Sequence, residues 1–293
     1  MNRPLIFLVA LAATLSLSLA GSPTAQARPA AHPIPATAVV NYVALGDSYS
    51  AGVGNAADYL PASGNCLRSS KAYSVLLAAR GHKLNLDFRA CDGATTDKLI
   101  SDQLPATPNT DVKTITVTIG GNDVGTFDVL PDCMGLDGVP GCSDGAKSVF
   151  AGEWQRVLLA KMALVLKRIH AAYPNARIYV GSYMELFGTR KTACKVGELN
   201  NQAFYVSYAD KVWLNTMARK LNATIRKAVH RAYNNMRATF VNVAPVFNGH
   251  GLCDFARPWV GHLDAANLKS LLHPTARGQR AYALMFHAYG VGR

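Results

Sequence analysis

Four short polar segments each hold a residue type that acyl transfer needs. They are Gly46-Asp47-Ser48-Tyr49-Ser50, Ala90-Cys91-Asp92-Gly93-Ala94-Thr95-Thr96, Ile119-Gly120-Gly121-Asn122-Asp123 and Leu272-His273-Pro274-Thr275. A serine hydroxyl attacks a carbonyl only when a base removes its proton, and imidazole, which titrates near neutral pH, suits that task and the later return of the proton to a leaving alcohol. Ser48 and His273 supply that pair. The tetrahedral intermediate puts negative charge on the former carbonyl oxygen. Preset donors there are worth on the order of 3 kcal/mol of barrier each. The backbone N–H groups of Ser48 and Gly93 and the side-chain amide of Asn122 would serve as those donors. Taken singly, each residue has a plainer explanation. Gly, Asp and Ser are ordinary turn formers, Asn122 could cap a helix, and His273 could be a packed surface histidine.

The chemistry needs elements that bring these segments together. Strand candidates are short and β-branched or alternating: Tyr42 to Gly46, Leu84 to Cys91, Thr114 to Gly120, Arg177 to Tyr183 and Thr239 to Val243. Helical patterns fall between them, over Lys71 to Arg80 with a stop at Gly81, Thr96 to Leu104, Trp154 to Ala172, Ala203 to Asn234 and about Ala276 to Ala288. In the third, Val157, Leu158, Met162, Val165, Leu166 and Ile169 form one apolar stripe. Alternation of strand and helix points to a mostly parallel sheet covered on both faces. In such sheets ligands sit at the carboxyl ends of strands, and three of the polar segments follow three predicted strands directly.

At the N-terminus a basic tip with Arg3 precedes an apolar run from Leu5 to Ala20 and the triplet Ala25-Gln26-Ala27. That pattern reads as a secretory signal over residues 1–27, and the run is short for a bilayer span. Residues 28–40 then read as a Pro- and Ala-rich flexible lead-in, and 41–293 as one domain expected to act as a monomer. Export fits the even count of six cysteines, at 66, 91, 133, 142, 194 and 253. Six permit 15 pairings. Cys133 and Cys142 flank a short Gly- and Pro-rich segment and make the safest local pair. The formal net charge of +12 favours anionic surroundings, a phospholipid surface among them. Its densest cluster, Arg219, Lys220, Arg226, Lys227, Arg231 and Arg237, reads as the solvated face of a helix, and no nucleic-acid module is recognisable. Gly52-Val53-Gly54-Asn55-Ala56-Ala57 fits a dinucleotide fingerprint weakly, since no acidic residue ends the second strand. The GxSxG elbow of α/β-hydrolases is missing, and metal-ligand spacing is absent.

GDSYS, the glycine of ACDGA, GGND and HPT, in that order, resemble the four blocks of the SGNH hydrolases, also called GDSL esterases and lipases. The six cysteines, the Gly249-His250-Gly251-Leu252-Cys253 stretch with Trp259 beyond, and the HPTAxGQ tail resemble the secreted actinomycete members. The resemblance implies a three-layer α/β/α, flavodoxin-like fold. It also implies ester hydrolysis through an acyl-serine intermediate without a cofactor, Ser48 as nucleophile, His273 as base, and Gly93 and Asn122 in the oxyanion hole. Disulfides Cys66–Cys91, Cys133–Cys142 and Cys194–Cys253 are implied as well. One departure stands out: the family's DxxH has Ser270 where the Asp should be. A Ser–His dyad follows, with the backbone carbonyl of Ser270 accepting the Nδ1 proton and with Asp264 and Asp254 as alternative carboxylates. The implied substrates are lipid or other acyl esters; an acetyl esterase acting on polysaccharide and a non-catalytic exported binding protein are the rivals.

Overall fold

The computed structural model describes residues 40–80, 84–135, 141–142 and 144–293. The expected leader over 1–27, the expected lead-in over 28–40 except Val40, which already belongs to the first strand, and the expected helix stop at Gly81 lie outside the described residues. Strand β1 (Val40–Gly46) leads into a one-turn helix α1 (Ser48–Ala51), followed by α2 (Tyr73–Ala79), β2 (Leu84–Phe88), α3 (Thr96–Lys98) and β3 (Val112–Thr118). Then come α4 (Thr126–Cys133), α5 (Asp144–Val149), α6 (Trp154–Ala172), β4 (Arg177–Gly181), β5 (Cys194–Leu199), β6 (Gln202–Val206), α7 (Tyr208–Met236), β7 (Ala238–Val241), β8 (Leu263–Asp264) and α8 (Ala276–Ala288).

Five strands form a parallel sheet in the order β2-β1-β3-β4-β7, the flavodoxin-like arrangement. Its middle strands are buried on both faces, which is why they read as nearly continuous apolar runs. Helices α2 and α8 pack together on the face presented by Thr116 and Thr118, and α6 and α7 pack together against the other. Helix α6 keeps its expected bounds and buries Leu158, Met162, Val165, Leu166 and Ile169, but Val157 lies off that arc and is 49% exposed. Arg219, Lys220, Arg226, Lys227 and Arg231 of α7 and Arg237 at its C-cap are exposed, as a solvated face requires, whereas Lys211 near its start is buried.

The expected helix from Ala203 begins five residues later. Ala203 to Val206 instead pair antiparallel with β5 in a hairpin, which β8 extends to a second three-stranded sheet. Asn200 and Asn201, both at positive φ, make its turn, and Ser207 caps α7 by accepting the Asp210 N–H. The segment from Thr96 is also irregular: one α-helical turn passes into a π-helical stretch, Leu99–Gln103. That stretch delivers Gln103 to the end of β1, where its side chain accepts from the Gly46 N–H and donates to the Gly46 carbonyl, both at 2.8 Å.

All three disulfides pair as the resemblance implied: Cys66–Cys91, Cys133–Cys142 and Cys194–Cys253. The first joins the loop after α1 to the Gly93 segment, where the Asp92 N–H also donates to the Cys66 carbonyl.

Candidate active site

The turn after β1 is held from beneath by a buried carboxylate. Asp47, 2% exposed, caps α1 by accepting from the Tyr49 N–H, and it also accepts from the Thr118 hydroxyl at 2.7 Å and from the Tyr183 hydroxyl. Burial raises its carboxyl to about 6, against the pull of those donors. The Tyr183 hydroxyl in turn accepts from the Gly121 N–H at 3.0 Å, so one phenol links the Ser48 turn to the Asn122 turn. Tyr183 is itself clamped on both backbone groups by the Asn222 amide of α7. Asp123 ties the Asn122 turn to the Gly93 segment by accepting from the Thr96 N–H and hydroxyl, and Lys161 of α6 pairs with it at 3.2 Å.

Ser48 is the first residue of α1 and is buried, 2% exposed. The C-terminal segment closes over that turn. The Tyr49 hydroxyl donates to the Leu272 carbonyl at 2.7 Å, and the Gln279 amide donates to the Tyr49 carbonyl and accepts from the Tyr73 N–H. Residues adjoining Ser48 and His273 are therefore bonded directly, and the Tyr49 and His273 rings lie 5.5 Å apart. The glycines that mimicked a dinucleotide fingerprint serve this packing. A Cβ on Gly54 would sit 3.0 Å from that of His273, and one on Gly52 would meet Ala72 at 2.8 Å; both glycines have positive φ.

His273 hangs between strand-like contacts and α8. Its carbonyl accepts from the Gly261 N–H, and Thr275 caps α8 by accepting from the Gly278 N–H. The carbonyl facing Nδ1 is that of Leu271, at 3.0 Å, and not that of Ser270. The Ser270 carbonyl is taken by the His273 backbone N–H at 3.0 Å, because residues 268–270 form a 3-10 turn that ends just before the histidine. Leu272, between Leu271 and His273, adopts a left-handed φ of 59°, which is costly for a non-glycine residue. The alternative carboxylates are engaged locally: Asp264 accepts from the Ala266 N–H and Asp254 from the Gly251 N–H. Burial is the main influence on the imidazole and lowers its pKa to about 4. The Asp92 carboxylate and the Leu271 carbonyl pull it up, and the Lys269 ammonium pushes it down.

Gly93, Asn122 and His273 line one cavity of about 220 Å³, with Leu130, Pro131, Met134, Leu268 and Leu271 as apolar walls and Asp92 and Lys269 beside them. Gly93 is exposed at positive φ, and its neighbours' N–H groups are committed to the Cys66 and Cys91 carbonyls. The Asn122 amide nitrogen donates to the Ala94 carbonyl at 2.9 Å, which fixes its direction. Of the residues around this site, Asp92, Lys269, Tyr183 and Leu271 were not singled out by sequence reasoning. Asp92 stood inside a noted block; the others carried no signal of their own.

Residues 44–281 match the model of the GDSL-like Lipase/Acylhydrolase family. The chain is 34% identical to Lipase 1 of Streptomyces coelicolor over 276 residues, 93% of this chain and 92% of the relative. It resembles the crystal structure of an extracellular lipase from Streptomyces rimosus with a TM-score of 0.70 and 30% identity, covering 85% of this chain and 99% of that one. A phospholipase A1 from Streptomyces albidoflavus NA297 gives a TM-score of 0.72 at 28% identity, covering 86% and 99%.

Proposed function

The chain belongs to the GDSL-like lipase/acylhydrolase family and is an ester hydrolase, and we propose that it is an exported enzyme cleaving lipid acyl esters through an acyl-serine intermediate. Ser48 is the nucleophile and His273 its base. The tetrahedral oxyanion is held by the N–H groups of Ser48 and Gly93 and the amide of Asn122. The observation that carries this assignment is the convergence of Gly93, Asn122 and His273 on one apolar-walled cavity, with Tyr49, next to Ser48, bonded to Leu272, next to His273.

In the first half-reaction the proton of Ser48 Oγ passes to His273 Nε2 as oxygen attacks the ester carbon, and the imidazolium then protonates the departing alcohol. Water repeats the cycle to release the acid. Nδ1 keeps its proton throughout, bonded to the Leu271 carbonyl, so the tautomer with Nε2 unprotonated is preferred. A carbonyl orients the ring as a carboxylate would but stabilises the imidazolium less, which defines a dyad.

The leucines, proline and methionine around the cavity suit an acyl chain, and the exposed Leu268 at 57% together with the net charge of +12 suits contact with an anionic lipid surface. Export is supported by three disulfides and by the extracellular relative. A chain-length series of nitrophenyl esters, run beside phosphatidylcholine and acetylated xylan, tests the substrate class. Since each buried methylene is worth about 0.8 kcal/mol, kcat/KM should climb up to about 4-fold per added carbon until the cavity is full. A maximum at acetate, with xylan deacetylated faster than lipid, would replace lipid by polysaccharide.

A further inference from the structure

We propose that Asp92 is the carboxylate which steadies the His273 imidazolium during turnover, and that Lys269, ion-paired to it at the cavity lining, sets how much of that carboxylate's field the histidine feels. The proposal rests on His273 being the base and adds two positioning residues that act through it.

Asp92 and Lys269 line the same cavity as His273 but come from two segments far apart in the sequence. Asp92 immediately precedes Gly93, and its side chain is 13% exposed; Lys269 lies on the 268–270 turn four residues before His273, with its side chain 60% exposed. The ammonium meets Asp92 Oδ2 at 2.7 Å. Exposed ion pairs are usually worth little, but here only one partner is in water. The carboxylate is held over the cavity by a backbone that the Cys66–Cys91 disulfide and the Asp92 N–H bond to Cys66 fix in place. Leu130, Pro131 and Met134 contribute apolar side chains to the cavity, the Asn122 turn adds a neutral amide, and the Tyr49 ring of α1 lies 5.5 Å from the imidazole. Tyr59 is a further titratable group whose phenol feels the same two charges. An acyl chain entering such a cavity displaces water, which lengthens the reach of any charge left beside it. When the Ser48 proton moves to Nε2, the new positive charge therefore finds one nearby carboxylate, already half-neutralised by Lys269. With no Asp at position 270, this couple is the charge control the site retains.

The two charges have opposite signs, so their removal must act in opposite directions. The test is an NMR titration of the His273 ring, assigned by its loss in His273→Gln, together with the pH profile of kcat/KM on a nitrophenyl ester, for the parent, Asp92→Asn and Lys269→Met. Asp92→Asn should move the ring titration and the acid limb lower, or keep the ring neutral down to acid unfolding, and should cut kcat about 10-fold with KM within about 2-fold. Lys269→Met should move both upward by roughly half a pH unit or more, while Asp92→Glu and Lys269→Arg stay near the parent. Shifts in the same direction, or no shift in either variant, would overturn the proposal. If Asp92→Asn does not fold, Lys269→Met and Lys269→Gln decide alone, since both must shift upward. Opposite ring shifts that the acid limb ignores would leave the charge couple standing and remove His273 as the base.

Discussion

At the residue scale, Ser270 stands where the family's motif has Asp, and the group that faces His273 Nδ1 is the backbone carbonyl of Leu271. Ser270→Ala keeps every backbone group around His273 and loses only the hydroxyl bond to the His262 carbonyl, 2.8 Å long. The rate should stay within about 3-fold of the parent, with roughly 1 kcal/mol of stability lost. A fall of about 100-fold would make the hydroxyl a third catalytic member. Asp264→Asn and Asp254→Asn belong to the same test, and a loss of about 1000-fold in either would restore a triad. Asn122→Ala should lower kcat about 100-fold with little effect on KM, because an oxyanion donor acts on the transition state. Ser48, Gly93, Asn122 and His273 could be proposed from the sequence because the chemistry proposed for them depends on residue type. The Leu271 carbonyl was not, because which carbonyl meets Nδ1 is set by the 3-10 turn and by the left-handed φ of Leu272, and neither leaves a mark in residue identity. Tyr183 was hidden for a similar reason: a buried tyrosine after a strand is usually core.

At the scale of elements, the ends of β1, β3 and β4 are fixed to one another by side chains that run beneath the site. Tyr183 is the shared member, donating to Asp47 and accepting from Gly121. Tyr183→Phe leaves both partners buried and short of a bond, at a cost of about 1 to 3 kcal/mol each. The melting temperature should fall by several degrees and kcat should fall with it, since the Ser48 and Asn122 turns lose their tie. An unchanged melting curve would mean that the tie does not contribute. Opening Cys66–Cys91, the bridge that anchors the Gly93 segment, should cost about 2 to 4 kcal/mol, read as the change in urea midpoint of the Cys66→Ser, Cys91→Ser double variant. The middle strands β1, β3 and β4 were legible because burial on both faces makes apolar runs of them, α6 because its apolar pattern is long, and α8 because Thr275 also caps it. The β5–β6 hairpin was missed where Ala203 to Val206 merged with the helical pattern behind it. Ser207 followed three residues later by Asp210 was the capping signal that marks the true start of α7.

At the scale of the whole molecule, two buried groups of the site oppose each other in the dependence of stability on pH. His273 stays neutral in the fold down to about 4 but takes its proton near 6.5 when unfolded, so acidification through that window favours the unfolded chain. Asp47 is the reverse: its folded carboxyl binds a proton near 6 and its unfolded one near 3.8, so acidification through that window favours the fold. The windows overlap from about 4 to 6, where the two slopes nearly cancel. Asp47→Asn removes the second contribution, and its stability by urea unfolding should fall more steeply than the parent's between those values. Equal slopes would mean that Asp47 is already ionised across the range. Activity should likewise persist well below pH 6, because the base remains neutral there. The most direct test of the central claim is covalent: the parent protein treated with a fluorophosphonate at pH 7 and digested for mass spectrometry. One adduct per chain is expected, on the peptide containing Ser48, with none in Ser48→Ala and labelling slowed by about 1000-fold in His273→Ala. Labelling of another serine, or an undiminished rate without His273, would contradict the Ser48–His273 dyad.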